Sequence, residues 1–252
     1  MNTLPQLNSL NIPELKIKDI VIKDFHSAHI FEKLGIDFCC GGNRLLTDAL
    51  NAKNISLESF LQEYNTAKRT DSVSEINFEE LDLTSLIEYI INKHHNYIRS
   101  AVPVLTARLK KVVNAHGSKY PFLLSVEHTF YLIGEELQTH MMKEEKILFP
   151  LINNLQESMR FNKQQMAGAC GSIRNPISRM ESEHVEAGDG MSKIRLLTDN
   201  YSLPADACTT FRVTYQELNE FEKDLHEHVH LENNILFPKA IGLEESLAER
   251  IS

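Results

Sequence analysis

The chain has 252 residues, 42% hydrophobic and 24% charged, enough for one large domain or one domain with a small extension. Asp and Glu outnumber Lys and Arg by 35 to 26, and the formal charge of −9 argues against nucleic acid or an anionic membrane as the main partner. No apolar run approaches the roughly 18 residues of a membrane span. The opening MNTLPQLNSLNIPELKIKDI lacks a basic head followed by an apolar stretch, so no secretory signal is expected. Trp is absent and Gly (10) and Pro (8) are few, which favours a mostly helical protein. The four cysteines, Cys39, Cys40, Cys170 and Cys208, fit no disulfide framework, and a bridge between the neighbours Cys39 and Cys40 would be strained. Free thiols and no signal make the cytoplasm the expected compartment.

In chain order, residues 1–70 read as a small helical unit. Short helices are expected at 26–34 and 44–52, joined by Gly35-Ile36-Asp37-Phe38-Cys39-Cys40-Gly41-Gly42-Asn43, with a third near 57–64. Residues 68–75 are polar, and a linker is placed at 71–80. Residues 81–252 then carry four long helical patterns, at about 82–114, 119–154, 174–198 and 205–234, with no period-two alternation. Asp82 and Thr84 can cap the first and Pro121 suits the first turn of the second. Pro103 predicts a kink, and Pro150 and Pro238 are expected to end or bend their helices. Four helices with mostly short joints imply an all-α, up-down-up-down four-helix bundle.

An internal repeat carries the chemistry. HMMKEEKILFP (140–150) and HVHLENNILFP (228–238) match at His, Glu, Ile, Leu, Phe and Pro with an offset of 88 residues. Each half also holds an earlier core histidine, so a pseudo-two-fold of helical hairpins would gather four imidazoles at one point. His184 stands in the stripe Ile177, Met180, Ala187, Met191, Ile194. His140 and Glu144 interrupt Leu137, Ile147 and Leu151, while His228 and Glu232 interrupt Leu218, Phe221, Leu225, Ile235 and Leu236. Residues i and i+4 lie about 40° apart around a helix and about 6 Å along it, so each His–Glu pair can reach one interior. Buried carboxylates must be paired or bind metal, and two converging between imidazoles can bridge two cations. Mixed His and carboxylate donors without thiols suit iron or manganese better than closed zinc. In the first helix, the stripe Leu83, Leu86, Ile87, Ile90, Ile98, Leu105 centres nearer His94 than His95. Glu145, Lys146, His226 and His230 are assigned to solvated faces; His116 and His128 have no placement.

Gly-Ile-Asp-Phe-Cys-Cys-Gly-Gly (35–42), HMMKEEKILFP, MESEHVEAG (180–188) and HVHLENNILFP, taken in order, resemble the di-iron proteins that repair iron–sulfur clusters. That family joins a double-cysteine domain to a haemerythrin-like bundle, and the likeness spans nearly the whole chain. It implies two non-haem irons (Fe2+/Fe3+, oxo- or hydroxo-bridged) held by His95, His140, His184 and His228, with Glu144 and Glu232 bridging. It selects His95, eight residues before Pro103, over His94, which stays in reserve. It implies repair of clusters damaged by nitrosative or oxidative stress through supply of labile iron, with damaged iron–sulfur proteins as partners and a homodimer by analogy. Binding or reduction of nitric oxide or oxygen is the alternative, and whether the protein is an enzyme stays open. Glu136, one turn before His140, and Glu183, next to His184, are candidates for carboxylates lining an iron exit path. Cys39 and Cys40, before a helix start and near Arg44, are candidate redox or metal-capturing thiols. The connection 156–171 is longer than the resemblance leads one to expect.

Overall fold

The computed structural model describes residues 15–25, 27–39, 41–67, 76–161 and 172–250, and every named element among them is helical. The first half of the expected linker, 71–75, falls outside these residues, as do Cys40, Cys170 and most of the 156–171 connection. No described helix is long and apolar enough to cross a membrane.

Four short helices come first: α1 (Ile17–Lys23), α2 (Ser27–Leu34), α3 (Leu46–Ala52) and α4 (Leu57–Ala67). The last three stand close to the predicted positions. The sequence reading missed α1, a seven-residue helix whose N-cap, Lys16, offers no side-chain cap. Tertiary contacts hold it instead. Ile17 N–H donates to Arg44 O and Lys18 N–H to Gly42 O, and Ile17, Ile20 and Val21 enter a core with Phe31, Phe38 and Phe60. Gly35 ends α2 at φ +63°, where a side chain is disfavoured. At Gly42 a Cβ would lie 2.9 Å from Lys18 Cβ and closer still to Phe38 O. Gly42→Ala is therefore expected to cost about 1–3 kcal/mol through forced backbone movement. Urea unfolding monitored in this unit checks it; an unchanged midpoint would show that the turn can relax.

The bundle follows as four rods. The first joins α5 (Leu83–Ile90), a π-turn at Ile91–His95 and α6 (Asn96–His116). The second joins α7 (Phe122–Lys143), a π-turn at Glu144–Leu148 and α8 (Phe149–Phe161). The third is α9 (Arg174–Leu197); the fourth joins α10 (Thr209–Leu231), a π-turn at Glu232–Leu236 and α11 (Phe237–Glu249). Asp82 caps α5 by accepting from Ser85 N–H, as expected. α6 packs on α7, α7 on α9, α9 on α10 and α10 on α6, closing an up-down-up-down ring.

Of the two effects expected at Pro150 and Pro238, an end or a bend, the helix end does not occur. Each occupies the second position of the α-segment that resumes after a π-turn. There the register returns from i→i−5 to i→i−4, so a missing N–H interrupts little. α6 likewise continues through Pro103.

The bundle's apolar interior lies in two parts. One holds Ile98, Val102, Phe130, Leu137, Ala187, Phe221 and Leu225. The other holds Ile90, Leu148, Phe149, Met180, Leu231, Ile235 and Phe237. On every rod the break between them falls at the histidines and glutamates of the repeat.

Candidate metal centre

The polar layer is built by the π-turns. Glu144 opens one, Glu232 opens another and His95 closes the third. A π-turn places one additional residue in a turn, so the helix phase shifts by one position across it. His94 and His95 are consequently both fully buried. By the same shift Ile147, expected inside, is 53% exposed, while Leu148 is buried.

His95, His140, Glu144, His184, His228 and Glu232 all converge, each at most 2% exposed. Two groups of donor atoms form, each within 4.8 Å: His95, Glu144, His228, Glu232, and His140, Glu144, His184, Glu232. Both glutamates belong to both groups, one oxygen to each. Glu144 Oε2 lies 3.4 Å from His95 Nε2 and Oε1 3.2 Å from His140 Nε2. Glu232 Oε1 lies 3.1 Å from His228 Nε2 and Oε2 3.0 Å from His184 Nε2. The Nε2 atoms of His95 and His228 are 3.2 Å apart, and those of His140 and His184 are 2.9 Å apart.

This arrangement fits cations. All four carboxylate oxygens are buried without a hydrogen-bond partner among the described residues, which is costly unless a charge meets them. Three imidazoles are oriented from behind. His95 Nδ1–H donates to Glu145 Oε1 (2.7 Å), His140 Nδ1–H to Glu183 Oε2 (3.0 Å) and His184 Nδ1–H to Asn233 Oδ1 (2.8 Å). That tautomer turns a bare Nε2 lone pair inward. Two donors in cis positions about 2.1 Å from one ion stand about 3.0 Å apart, matching the Nε2 pairs.

The electrostatics reflect the same crowding. Burial pushes the His140 imidazole down, but Glu144 and Glu232 outweigh it and lift it to about 9. His95 is raised against burial by the same carboxylates. Burial and Glu232 push Glu144 up, yet His140 and His95 hold it below the usual range; Glu232 is held well below by His228 and His184, against burial. Burial lowers His228. A folded His140 value near 9 exceeds the ordinary 6.5, so its charge stabilises the metal-free fold below pH 6.5, and that contribution is lost as pH rises through about 9. Urea midpoints of chelator-treated protein are expected to fall across this window, and the fall should shrink in His140→Phe. A flat profile in the unsubstituted protein would contradict the assignment.

Among the other candidates, His94 joins neither group. Its Nδ1–H donates to Asp224 Oδ1 (3.0 Å) and its ring stacks on His228. Glu183 meets His140, Lys143 and Arg179; burial would raise it, but these partners bring it down to about 2. Glu136 is exposed and lines, with Glu183 and His140, a cleft of about 340 Å³. Cys39 is buried, and its thiol donates to Asp37 Oδ1 at 3.1 Å.

Three residues assigned to solvated faces are otherwise engaged. Glu145 is half-buried, holding His95 and Arg99. His230 is fully buried, its Nδ1 accepting from Asn234 Nδ2, which also donates to Cys39 O. His226 binds Glu32 of α2. All three depend on other parts of the chain, which helix periodicity does not reveal; Lys146 is exposed as expected.

Residues 86–240 match the family described as Hemerythrin HHE cation binding domain, and residues 14–68 match a Domain of Unknown function (DUF542). The Iron-sulfur cluster repair protein YtfE of Musicola paradisiaca (strain Ech703) is 36% identical over 231 residues, covering 90% of this chain and 96% of that protein. The proteins of the same name from Yersinia pestis (strain Pestoides F) and Yersinia pseudotuberculosis serotype O:1b (strain IP 31758) are 36% identical over 215 residues, covering 85% of this chain and 91% of theirs. The hemerythrin match and the buried His/Glu donors together mark a non-haem iron type of site. With its cation-binding bundle and its likeness to these proteins over most of its length, the chain belongs to the iron–sulfur cluster repair protein family.

Proposed function

We propose that the protein repairs damaged iron–sulfur clusters by supplying iron from a centre of two non-haem irons. The observation that carries this reading is the sharing of Glu144 and Glu232 between two donor groups, one oxygen to each. His95 and His228 would hold one ion, His140 and His184 the other, and the two glutamates would bridge them, with an oxo or hydroxo group completing the bridge. When bound, the irons supply exchangeable metal with open coordination positions. The chain orients its imidazoles through Glu145, Glu183 and Asn233 and excludes water with the apolar clusters on either side. Glu183 and Glu136 line the cleft beside His140.

In domain terms, residues 1–70 form the double-cysteine unit, 71–80 the linker and 81–252 the iron bundle, a division supported by the separate core of α1–α4. Cys39 and Cys40 are assigned to redox exchange or transient metal capture, the partners are damaged iron–sulfur proteins, and the protein acts as a cytoplasmic homodimer.

The test is anaerobic incubation of the iron-loaded protein with a nitric-oxide-damaged iron–sulfur dehydratase, with His140→Ala alongside. Recovery of dehydratase activity by the unsubstituted protein alone is expected. No recovery with the centre verified as filled would overturn iron donation and favour binding or reduction of nitric oxide or oxygen.

A further inference from the structure

The four imidazoles of the centre differ in what stands behind them. His95 has the Glu145 carboxylate on Nδ1 and His140 has that of Glu183, so the two donor groups are matched in one histidine each. They are unmatched in the other. His184 Nδ1–H is held by the Asn233 amide at 2.8 Å. His228 Nδ1 is buried with no hydrogen-bond partner among the described residues. What lies against His228 is the His94 ring, parallel to within 6° at 5.5 Å between centroids. The Nδ1–H of His94 is itself committed to Asp224. Stacking restrains the plane of the ring but accepts no proton and adds no basicity to Nε2.

An acceptor on Nδ1 fixes the tautomer and strengthens the inward nitrogen, and losing such a partner typically weakens metal affinity 10–100-fold. The glutamates cannot offset the difference, because each gives one oxygen to each group. We infer that the two cation positions are inequivalent: the His140/His184 position binds tightly and fills first, and the His95/His228 position holds the exchangeable ion. Asn233 is then the positioning residue that sets the difference. This inference rests on the reading of the centre as one that holds two cations, and it names which of them is available for transfer.

The experiment is equilibrium titration of the metal-free full-length protein with Fe(II) under anaerobic conditions against a competing chelator, without any client protein. Repulsion between two bound ions separates the binding steps in every variant, so assignment comes from Asn233. In Asn233→Leu the first, tighter step is expected to weaken by about 10–100-fold, by loss of the Nδ1 partner, while the second hardly moves. Asn233→Asp, which offers His184 a carboxylate, is expected to tighten the first step instead. His228→Ala should abolish the second step and spare the first. Circular dichroism and the thermal midpoint of each metal-free variant identify any that fails to fold, and the opposite directions expected of Leu and Asp keep the assignment falsifiable if one does. Weakening of only the second step by Asn233→Leu, or loss of the first by His228→Ala, would overturn the inference. The iron-donation reading would survive that result, since it fails only if clients are not reactivated. A protein that binds no Fe(II) would overturn both.

Discussion

Glu144→Ala is expected to strip most iron from the protein while leaving the helical fold in place. Glu144 gives one oxygen to each donor group, so the substitution removes a donor from both positions at once. It also removes the negative charge that lifts His140 and His95, and these nearest groups, at 3.2 and 3.4 Å, belong to the centre itself rather than to the rest of the fold. The stability consequence is conditional on metal. A cation that binds only the folded state at about 100 times its dissociation constant stabilises by about 2.7 kcal/mol. The unsubstituted protein should thus lose thermal stability on chelation, and Glu144→Ala should be insensitive to chelator. Metal analysis after anaerobic reconstitution, with thermal melts in both states, checks both points. Iron content equal to that of the unsubstituted protein would remove Glu144 from the centre.

Phe221→Ala is expected to be the most damaging substitution in the bundle, at about 3–5 kcal/mol. Phe221 is fully buried on α10, and its ring meets Phe130 of α7 edge-on at 5.2 Å and Tyr97 of α6 at 6.2 Å. It thus ties three rods together two turns before His228. Its loss leaves a cavity that those rods can close only by moving, and the histidine layer rests on the same apolar cluster. Denaturant unfolding of metal-free protein measures the cost, and iron titration should show weaker binding in both steps. A loss below about 1 kcal/mol would mean that the bundle repacks around the gap.

Much of this protein was legible before any coordinates. The repeat of His-x-x-x-Glu with Ile-Leu-Phe-Pro places two imidazole–carboxylate pairs on core stripes, and His184 stands in a stripe of its own. Those residues are local in sequence and lie on helices regular up to the histidine, so a period of 3.6 finds them. The same period fails where the backbone departs from it. The stripe of the first rod pointed to His94, whereas His95 enters the donor group, because the π-turn at Ile91–His95 turns both rings inward and only the tertiary packing decides which Nε2 faces the glutamates. Ile147 was misplaced for the same reason.

The outer partners were legible only in part. Glu183 stood out as the neighbour of His184, yet it acts on His140 of another rod, while Glu145 and Asn233 are ordinary polar residues of amphipathic helices that also act on histidines of other rods. His230, Asn234 and Cys39 meet only when the small N-terminal unit packs against α10, and the α1 helix exists because that unit's own core and turn hold it. The sequence by itself determined which residue types occupy the centre of the bundle and that they are too polar to be buried without cations. The tertiary structure decided which histidine of a pair converges, which oxygen faces which ring, and which imidazole has no hydrogen-bond partner on Nδ1 among the described residues. Those outcomes depend on shifts of one residue and on contacts between rods, which no single-helix periodicity contains.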